Sequence, residues 1–315
     1  MNYYKYFKFF LFSILNRFRN TTLYPDTEKT FHVILNDKDR IQEAFRYTIW
    51  LFWDNPAMPI FVKKCIERIR AMNPEFKVIV LNFESLKNYL PDLTFEADDI
   101  PVANKTDVIR LELLYRYGGV WIDATVILFE NLKWFIPHIE KQLYDCIAFA
   151  RYASTTNPSH PVVESWFLCS HAGSPFIKRW LDCLKPVCKL GSKAYYEYLK
   201  SRDDYHEIVQ NIDRPEYLLV YLACQIAMKQ QKDYNLCLLS SEKTAFFYQE
   251  DKNWDIRKMY FELMFKKINP NGKLPLMVKL ISGNYKDTDY CYSHGFINPK
   301  SIVGNVLYQK PYNPV

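Results

Sequence analysis

Residues 102–129 read VANKTDVIRLELLYRYGGVWIDATVILF, and the two halves of this stretch obey different periods. From Val102 to Tyr117 the apolar residues Val108, Leu111, Leu114 and Tyr115 recur at helical spacing and share a face. Gly118-Gly119 then ends the helix, because glycine accepts the backbone angles that close a helix and turn the chain sharply. Val120–Phe129 is rich in β-branched and aromatic residues, which predicts a buried strand. One residue stands against that run. Asp123 lies among valine, isoleucine, leucine and tryptophan, and a buried carboxylate without a partner is costly. A cation, an arginine or the hydroxyls of a ligand must compensate it. Asp107 and Arg110, three apart on the preceding helix, share a face and are the nearest candidates. The Gly-Gly turn lets that face approach Asp123. The same three residues also admit a plainer reading, an Asp–Arg pair that fastens helix to strand.

Outward from this stretch the pattern repeats. Tyr47–Trp53 (YTIWLFW) and Phe76–Leu81 (FKVIVL) are strand candidates. Between them, two prolines at 56 and 59 break the chain, and Ile60–Met72 carries apolar residues at 62, 65, 66, 69 and 72, a helical series. A short helix is expected at Glu84–Tyr89, stopped by Pro91. Strand–helix–strand–helix–strand implies an α/β fold with a mostly parallel sheet flanked by helices. Ligands of such sheets bind at the carboxyl ends of the strands, so Trp53, the Asn82 region and Asp123 are expected at one edge. Further strands are expected at Phe31–Leu35, Cys146–Arg151 and Leu236–Leu239. Ser174-Pro175 should open a helix running to about Cys183, and Arg214-Pro215 another ending near Gln231.

Composition narrows the function. The net charge of +6 over 315 residues comes without any long basic run, which argues against a nucleic-acid binder. The eight cysteines form no CxxC pair and no zinc spacing, and read as small buried thiols in a reducing compartment. Residues 1–19 hold Lys5, Lys8, Arg17 and Arg19 and no acid, with Phe7, Phe10, Leu11, Ile14 and Phe18 on one helical face. The apolar run Phe9–Leu15 is far shorter than the roughly 20 residues of a spanning helix. Such a helix suits the surface of an anionic bilayer; the alternative is packing on the domain or on a partner. Residues 20–315 show no repeat or internal boundary and are expected to form a single domain.

The string Lys105–Val126 resembles the core of the capsular polysaccharide synthesis glycosyltransferases. That group is similar to the DXD-containing sugar transferases, which include yeast initiating mannosyltransferases and clostridial glucosylating toxins. The shared pattern is S/T-D-x-x-R, L-L-Y-x-x-G-G and aromatic-x-D-x-D/T. Here it is met by Thr106-Asp107 with Arg110, by Leu113-Leu114-Tyr115 with Gly118-Gly119, and by Trp121-Ile122-Asp123-Ala124-Thr125. Weaker likeness extends to Trp50–Arg70, to Glu164–Phe167 and to Gly173–Ile177.

The resemblance implies a GT-A type nucleotide-sugar-binding fold, a nucleotide-sugar donor, a divalent cation (Mn²⁺ or Mg²⁺) and retention of anomeric configuration. Within the single domain, residues 46–135 are expected to form the donor-binding half and 136–315 the acceptor side; the acceptor is expected to be a growing surface or capsular glycan, which a membrane lipid could carry at the cytoplasmic face, in keeping with the N-terminal helix. By the same resemblance Asp107 and Arg110 would hold the donor sugar, Asp123 the donor ribose or the metal, and Trp53 would lie near the nucleotide base. Thr125 departs from the second Asp of the DXD motif. The capsular branch often carries this Asp-Ala-Thr form, but threonine brings no charge to a hard cation. His294, in Tyr-Ser-His-Gly, is a further candidate for the metal or diphosphate, or a surface-loop histidine. Lys266, Lys267 and Lys279 could meet phosphate or be solvated. Trp166 and Phe167 could line an acceptor pocket and more readily read as core. No nucleophile is identified. Two rivals are weighed. A sugar nucleotidyltransferase lacks support because no Gly-rich phosphate loop occurs near the start. A degenerate transferase kept as a scaffold has only Thr125 in its favour.

Overall fold

The structure is a computed structural model and describes residues 3–25, 30–35, 44–140, 144–230 and 233–308. Its strands are β1 (Phe31–Ile34), β2 (Thr48–Phe52), β3 (Lys77–Leu81), β4 (Gly119–Ile122), β5 (Val126–Leu128), β6 (Cys146–Ala150), β7 (Val163–Ser170), β8 (Leu236–Ser240) and β9 (Met277–Lys279). Seven of them form one sheet in the order β1-β8-β6-β7-β4-β2-β3, and β5 pairs with β9 in a separate ribbon. Strands β3, β2, β4, β6 and β8 run one way, while β1 and β7 oppose them. The principal helices are α1 (Tyr3–Asn16), α2 (Ile60–Met72), α3 (Val102–Tyr117), α4 (Pro175–Leu184) and α5 (Leu219–Gln230). This is the α/β class expected.

Alternation along the strands divides the core between the two faces of the sheet. Ile49, Leu51, Val120 and Ile122 join one cluster, covered by Phe61, Val62, Cys65, Ile66 and Ile69 of α2. Trp50, Phe52 and Trp121 point the other way, into a cluster filled from α3, α4 and α5. Because β3, β2 and β4 are parallel neighbours, the residues that follow them emerge together. The Trp53 backbone N–H donates to the Leu81 carbonyl at 2.9 Å, so the loops after β2 and β3 start side by side. Seven of the eight cysteines are buried and Cys183 is partly so, all free, as small core thiols should be.

Four expectations change. Val120–Phe129 is not one strand: the ladder ends at Ile122, and the Val126 N–H donates to the Asp123 carbonyl at 3.0 Å across a turn. Asp favours the first position of such turns. With apolar residues on both sides of the turn, a broken run and a continuous one look alike in sequence. Second, β7 was not anticipated, since Glu164 and Ser165 interrupt its apolar pattern, yet it lies between β4 and β6 with all eight residues buried. Third, the helix expected from Arg214 begins at Leu219 because Arg214 is in a left-handed turn at φ +50°; its expected end, Gln231, lies outside the described residues. Fourth, the short helix near 84 is confined to Phe83–Leu86, capped by the Asn82 side chain, which accepts from the Ser85 N–H at 2.8 Å.

Helix α1 has two apolar faces. Phe9 and Phe12 are buried against Tyr260, Phe261 and Phe265, while Phe7, Phe10, Leu11 and Ile14 are exposed, as is Phe18 just beyond the helix. Among the described residues no helix is long and apolar enough to cross a membrane.

Candidate active site

The Gly-Gly turn sets the geometry. Gly118 and Gly119 adopt φ +64° and +96°, and a Cβ on either would stand 2.6 Å from the Ala172 nitrogen or 2.5 Å from the Thr48 carbonyl. Only glycine allows the turn from α3 into β4 to take these angles and pack this closely on the end of β7 and the start of β2. The Asp107 and Arg110 side chains on α3 are buried, and their ion pair measures 3.2 Å. Arg110 also donates to the Ser165 carbonyl at 2.6 Å and to its hydroxyl at 2.8 Å, and lies over the Trp121 ring at 5.0 Å. Its other terminal nitrogen reaches Asp123 at 3.7 Å. Asp123 accepts the Trp121 indole N–H at 3.0 Å and retains 26% side-chain exposure, so it presents the open end of the group.

A second cation completes the cluster. The Lys279 ammonium stands 2.9 Å from Asp123 and donates to the Thr125 hydroxyl at 3.1 Å and the Leu280 carbonyl at 3.0 Å. It arrives on the β5–β9 ribbon, where Val126 pairs with Lys279. Of the three lysines raised by the sequence, only this one joins the site. Lys266 pairs with Glu262 at 2.7 Å, and Lys267 lies over Phe18.

These partners decide the charge states. Burial alone pushes the Asp123 carboxyl up, but the Lys279 and Arg110 charges, with hydrogen bonds from Lys279 and Trp121, hold it below the usual carboxylate range. Asp107 goes the other way: burial raises it to about 6, against the pull of Arg110 and with a push from Asp123. The site thus carries one firmly ionised carboxylate and one poised below neutrality.

Around Asp123 stands an aromatic rim. Trp53 meets Tyr285 at 6.4 Å between ring centres, and its indole N–H is buried without a hydrogen-bond partner among the described residues. Burial and the Asp123 charge raise the Tyr285 phenol; burial, then Asp107 and Asp123, raise that of Tyr217. Trp53 and Asp123 therefore share the edge the sequence assigned them.

The expected metal ligands do not fit a divalent cation. The Thr125 hydroxyl donates to the Leu280 carbonyl at 2.9 Å and faces the Lys279 ammonium, and one Asp123 oxygen is bonded to that same ammonium. His294 packs among Tyr6, Tyr290 and Phe296 and makes no described contact with Asp123 or Thr125. Among the described residues no group of three or more Asp, Glu, His or Cys could hold a metal. The reason is electrostatic: an ammonium already sits where a cation would approach.

Sequence reasoning missed Ser165, Tyr217, Tyr285 and the buried Glu164. Burial raises Glu164 to about 7, and it accepts the Tyr221 hydroxyl, one residue from the Ser165 that anchors Arg110. An acid inside an apolar run was the available signal, the same one that marked Asp123. Trp166 and Phe167 are core, Trp166 stacking on Phe149 at 4.7 Å.

Comparison with known proteins agrees with the motif. The family described as capsular polysaccharide synthesis protein matches residues 5–270, and the chain belongs to it. O-glycosyltransferase braB of Annulohypoxylon truncatum is 28% identical over 178 residues, which are 50% of this chain and 39% of that protein. Glycosyltransferase afumC of Aspergillus fumigatus is 27% identical over 161 residues, 44% of this chain and 40% of its own. The chain thus spans about two fifths of the length of these relatives. Among solved structures, the PaToxG glycosyltransferase aligns over 68% of this chain and 88% of its own at 14% identity and TM-score 0.34. The apo-form glycosyltransferase GlyE of Streptococcus pneumoniae aligns over 75% and 55% at 13% identity and TM-score 0.38.

Proposed function

We propose that this member of the capsular polysaccharide synthesis family is a glycosyltransferase of GT-A type that moves a sugar from a UDP- or GDP-activated donor to a hydroxyl of a growing surface glycan. The observation that carries the reading is the buried Asp107–Arg110 pair presenting Asp123 at the carboxyl ends of β2, β3 and β4. Asp107 and Arg110 orient the donor sugar through its hydroxyls. Asp123, ionised and partly open, accepts hydroxyls of the donor ribose. Trp53 offers an aromatic face and an unused indole N–H to the nucleotide base.

The reaction breaks the bond from the anomeric carbon to the diphosphate, which leaves with the electron pair. The acceptor oxygen forms the new bond on the same face, and its proton balances the charge of the departing diphosphate. No enzyme nucleophile is required for this front-side course. The acceptor is read as lipid-linked and the protein as peripheral at the cytoplasmic membrane face. Support comes from exposed Phe7, Phe10 and Ile14 of α1 and Phe18 just beyond it, which accompany Lys8, Arg17 and Arg19, while Lys5 pairs with Asp287 at 2.7 Å.

Nucleotide release from a panel of UDP- and GDP-sugars tests the proposal. Asp123→Ala should abolish release while the melting temperature stays near that of the parent; retained turnover sinks the role of Asp123. Absence of stabilisation by any nucleotide would favour a transferase-like scaffold instead.

A further inference from the structure

We propose that Lys279 supplies the positive charge that a divalent cation supplies in a DXD site, so that the donor diphosphate is bound without metal. This rests on the transferase reading above and deepens it.

Charge balance is the first argument. Asp107, Asp123, Arg110 and Lys279 carry two negative and two positive charges, which sum to zero. A site with a second aspartate at position 125, the same arginine and a divalent cation would also sum to zero. Replacing that aspartate by Thr125 removes one negative charge, and replacing the dication by an ammonium removes one positive charge. The two departures compensate each other. A lysine without the threonine, or the threonine without a lysine, would leave the cluster unbalanced.

Geometry is the second. Thr125 holds the ammonium rather than repelling it: its hydroxyl accepts from Lys279 at 3.1 Å while donating to the Leu280 carbonyl at 2.9 Å. An ammonium has three protons, and here they meet Asp123, Thr125 and the Leu280 carbonyl. All three contacts come from one short turn and one strand end, so the charge is preorganised and needs little rearrangement when an anion arrives. The 26% exposure of the Asp123 side chain leaves an approach to the ion pair. A diphosphate oxygen bound there would exchange one carboxylate partner of Lys279 for a phosphate, a like-for-like charge-assisted bond.

Third, the placement depends on the chain leaving the sheet at Asp123. Beyond the turn, β5 lies outside the seven-stranded sheet and Val126 pairs with Lys279. The β5–β9 ribbon delivers an ammonium from 154 residues away in sequence to the motif itself.

Calorimetric titration of the full chain with UDP, GDP and CMP, once in EDTA and once in MnCl₂, tests this. The expected result is binding of one nucleotide in EDTA, within about threefold of its affinity in manganese. Lys279→Met should weaken that binding by roughly tenfold or more, and Lys279→Arg should restore most of it. Binding only in manganese would overturn the inference while leaving the transferase reading intact, as would unchanged binding in Lys279→Met. The EDTA arm on the parent protein decides the matter even if Lys279→Met fails to fold. No binding of any nucleotide in either buffer would overturn the transferase reading itself and this inference with it.

Discussion

Replacing Arg110 with methionine tests how the buried charges are held. The guanidinium donates to the Ser165 carbonyl at 2.6 Å and the Thr106 carbonyl at 3.3 Å, and stands 3.2 Å from Asp107. Methionine fills similar space but offers no donor. With Arg110 in place, burial already holds Asp107 at about 6, above its ordinary 3.8. The folded state therefore binds this proton more tightly than the unfolded chain. The resulting stability is fully present below the ordinary value and is lost as pH rises through about 6. Without the guanidinium the folded value climbs further. At pH 6 half of the Asp107 carboxyls are already protonated, so removing Arg110 adds little electrostatic cost. At pH 8 the carboxyl must be neutralised at about 1.4 kcal/mol per unit above 6, a ceiling of roughly 3 kcal/mol. The two carbonyls that lose a donor add about 1 kcal/mol each at either pH. Arg110→Met should thus cost about 2 kcal/mol at pH 6 and about 5 kcal/mol at pH 8, measured from urea midpoints. Asp107→Asn in the same chain should remove the pH-dependent part and leave the rest. Equal losses at both pH values, or a double variant that keeps the pH dependence, would refute the claim that Arg110 compensates Asp107.

Glu164, raised by burial to about 7, also loses its contribution as pH rises, so the parent protein should lose about 3 kcal/mol of stability between pH 5 and 8.5 from this group alone. Glu164→Gln keeps a partner for Tyr221 and should flatten that slope in thermal melts; a parental slope rejects the assignment. Nucleotide-sugar binding should weaken as pH falls through about 6, where Asp107 protonates, and Asp107→Asn should lack that step in a titration series. Gly118→Ala should destabilise by about 2 kcal/mol or more, because its Cβ meets the Ala172 nitrogen at 2.6 Å. Gly173→Ala, at a similar positive φ but with nothing within 4 Å, should cost about 1 kcal/mol, and equal melting temperatures for the two would contradict the close-approach argument.

What the sequence made legible was local. Helices α2 and α3 are where their apolar periods put them, each bounded by a proline or the Gly-Gly turn; α2 buries one series of side chains on the sheet, whereas α3 is buried on every side from Asp107 to Leu114. The edge shared by Trp53 and Asp123 followed from parallel strand order alone. Strand β7 escaped because its sides are covered by neighbours rather than split between core and water, so no alternation survives to be read. The partners it contributes, Ser165 and Glu164, escaped with it.

Asp123 shows where this kind of reading stops. Its cost in an apolar run required a compensator, and that inference needed only the residue and its neighbours. Which compensator was a question about the tertiary path. Arg110 could be named because about two turns of helix, two glycines and a short strand connect it to Asp123. Lys279 could not, because its approach depends on a break in the strand that the apolar pattern conceals. The metal expectation came from the resemblance, which places a cation beside Asp123 and the residue two positions on. With the chain turning at Asp123, the cation beside that carboxylate is the Lys279 ammonium, and the threonine is its hydrogen-bond partner instead of a deficient metal ligand.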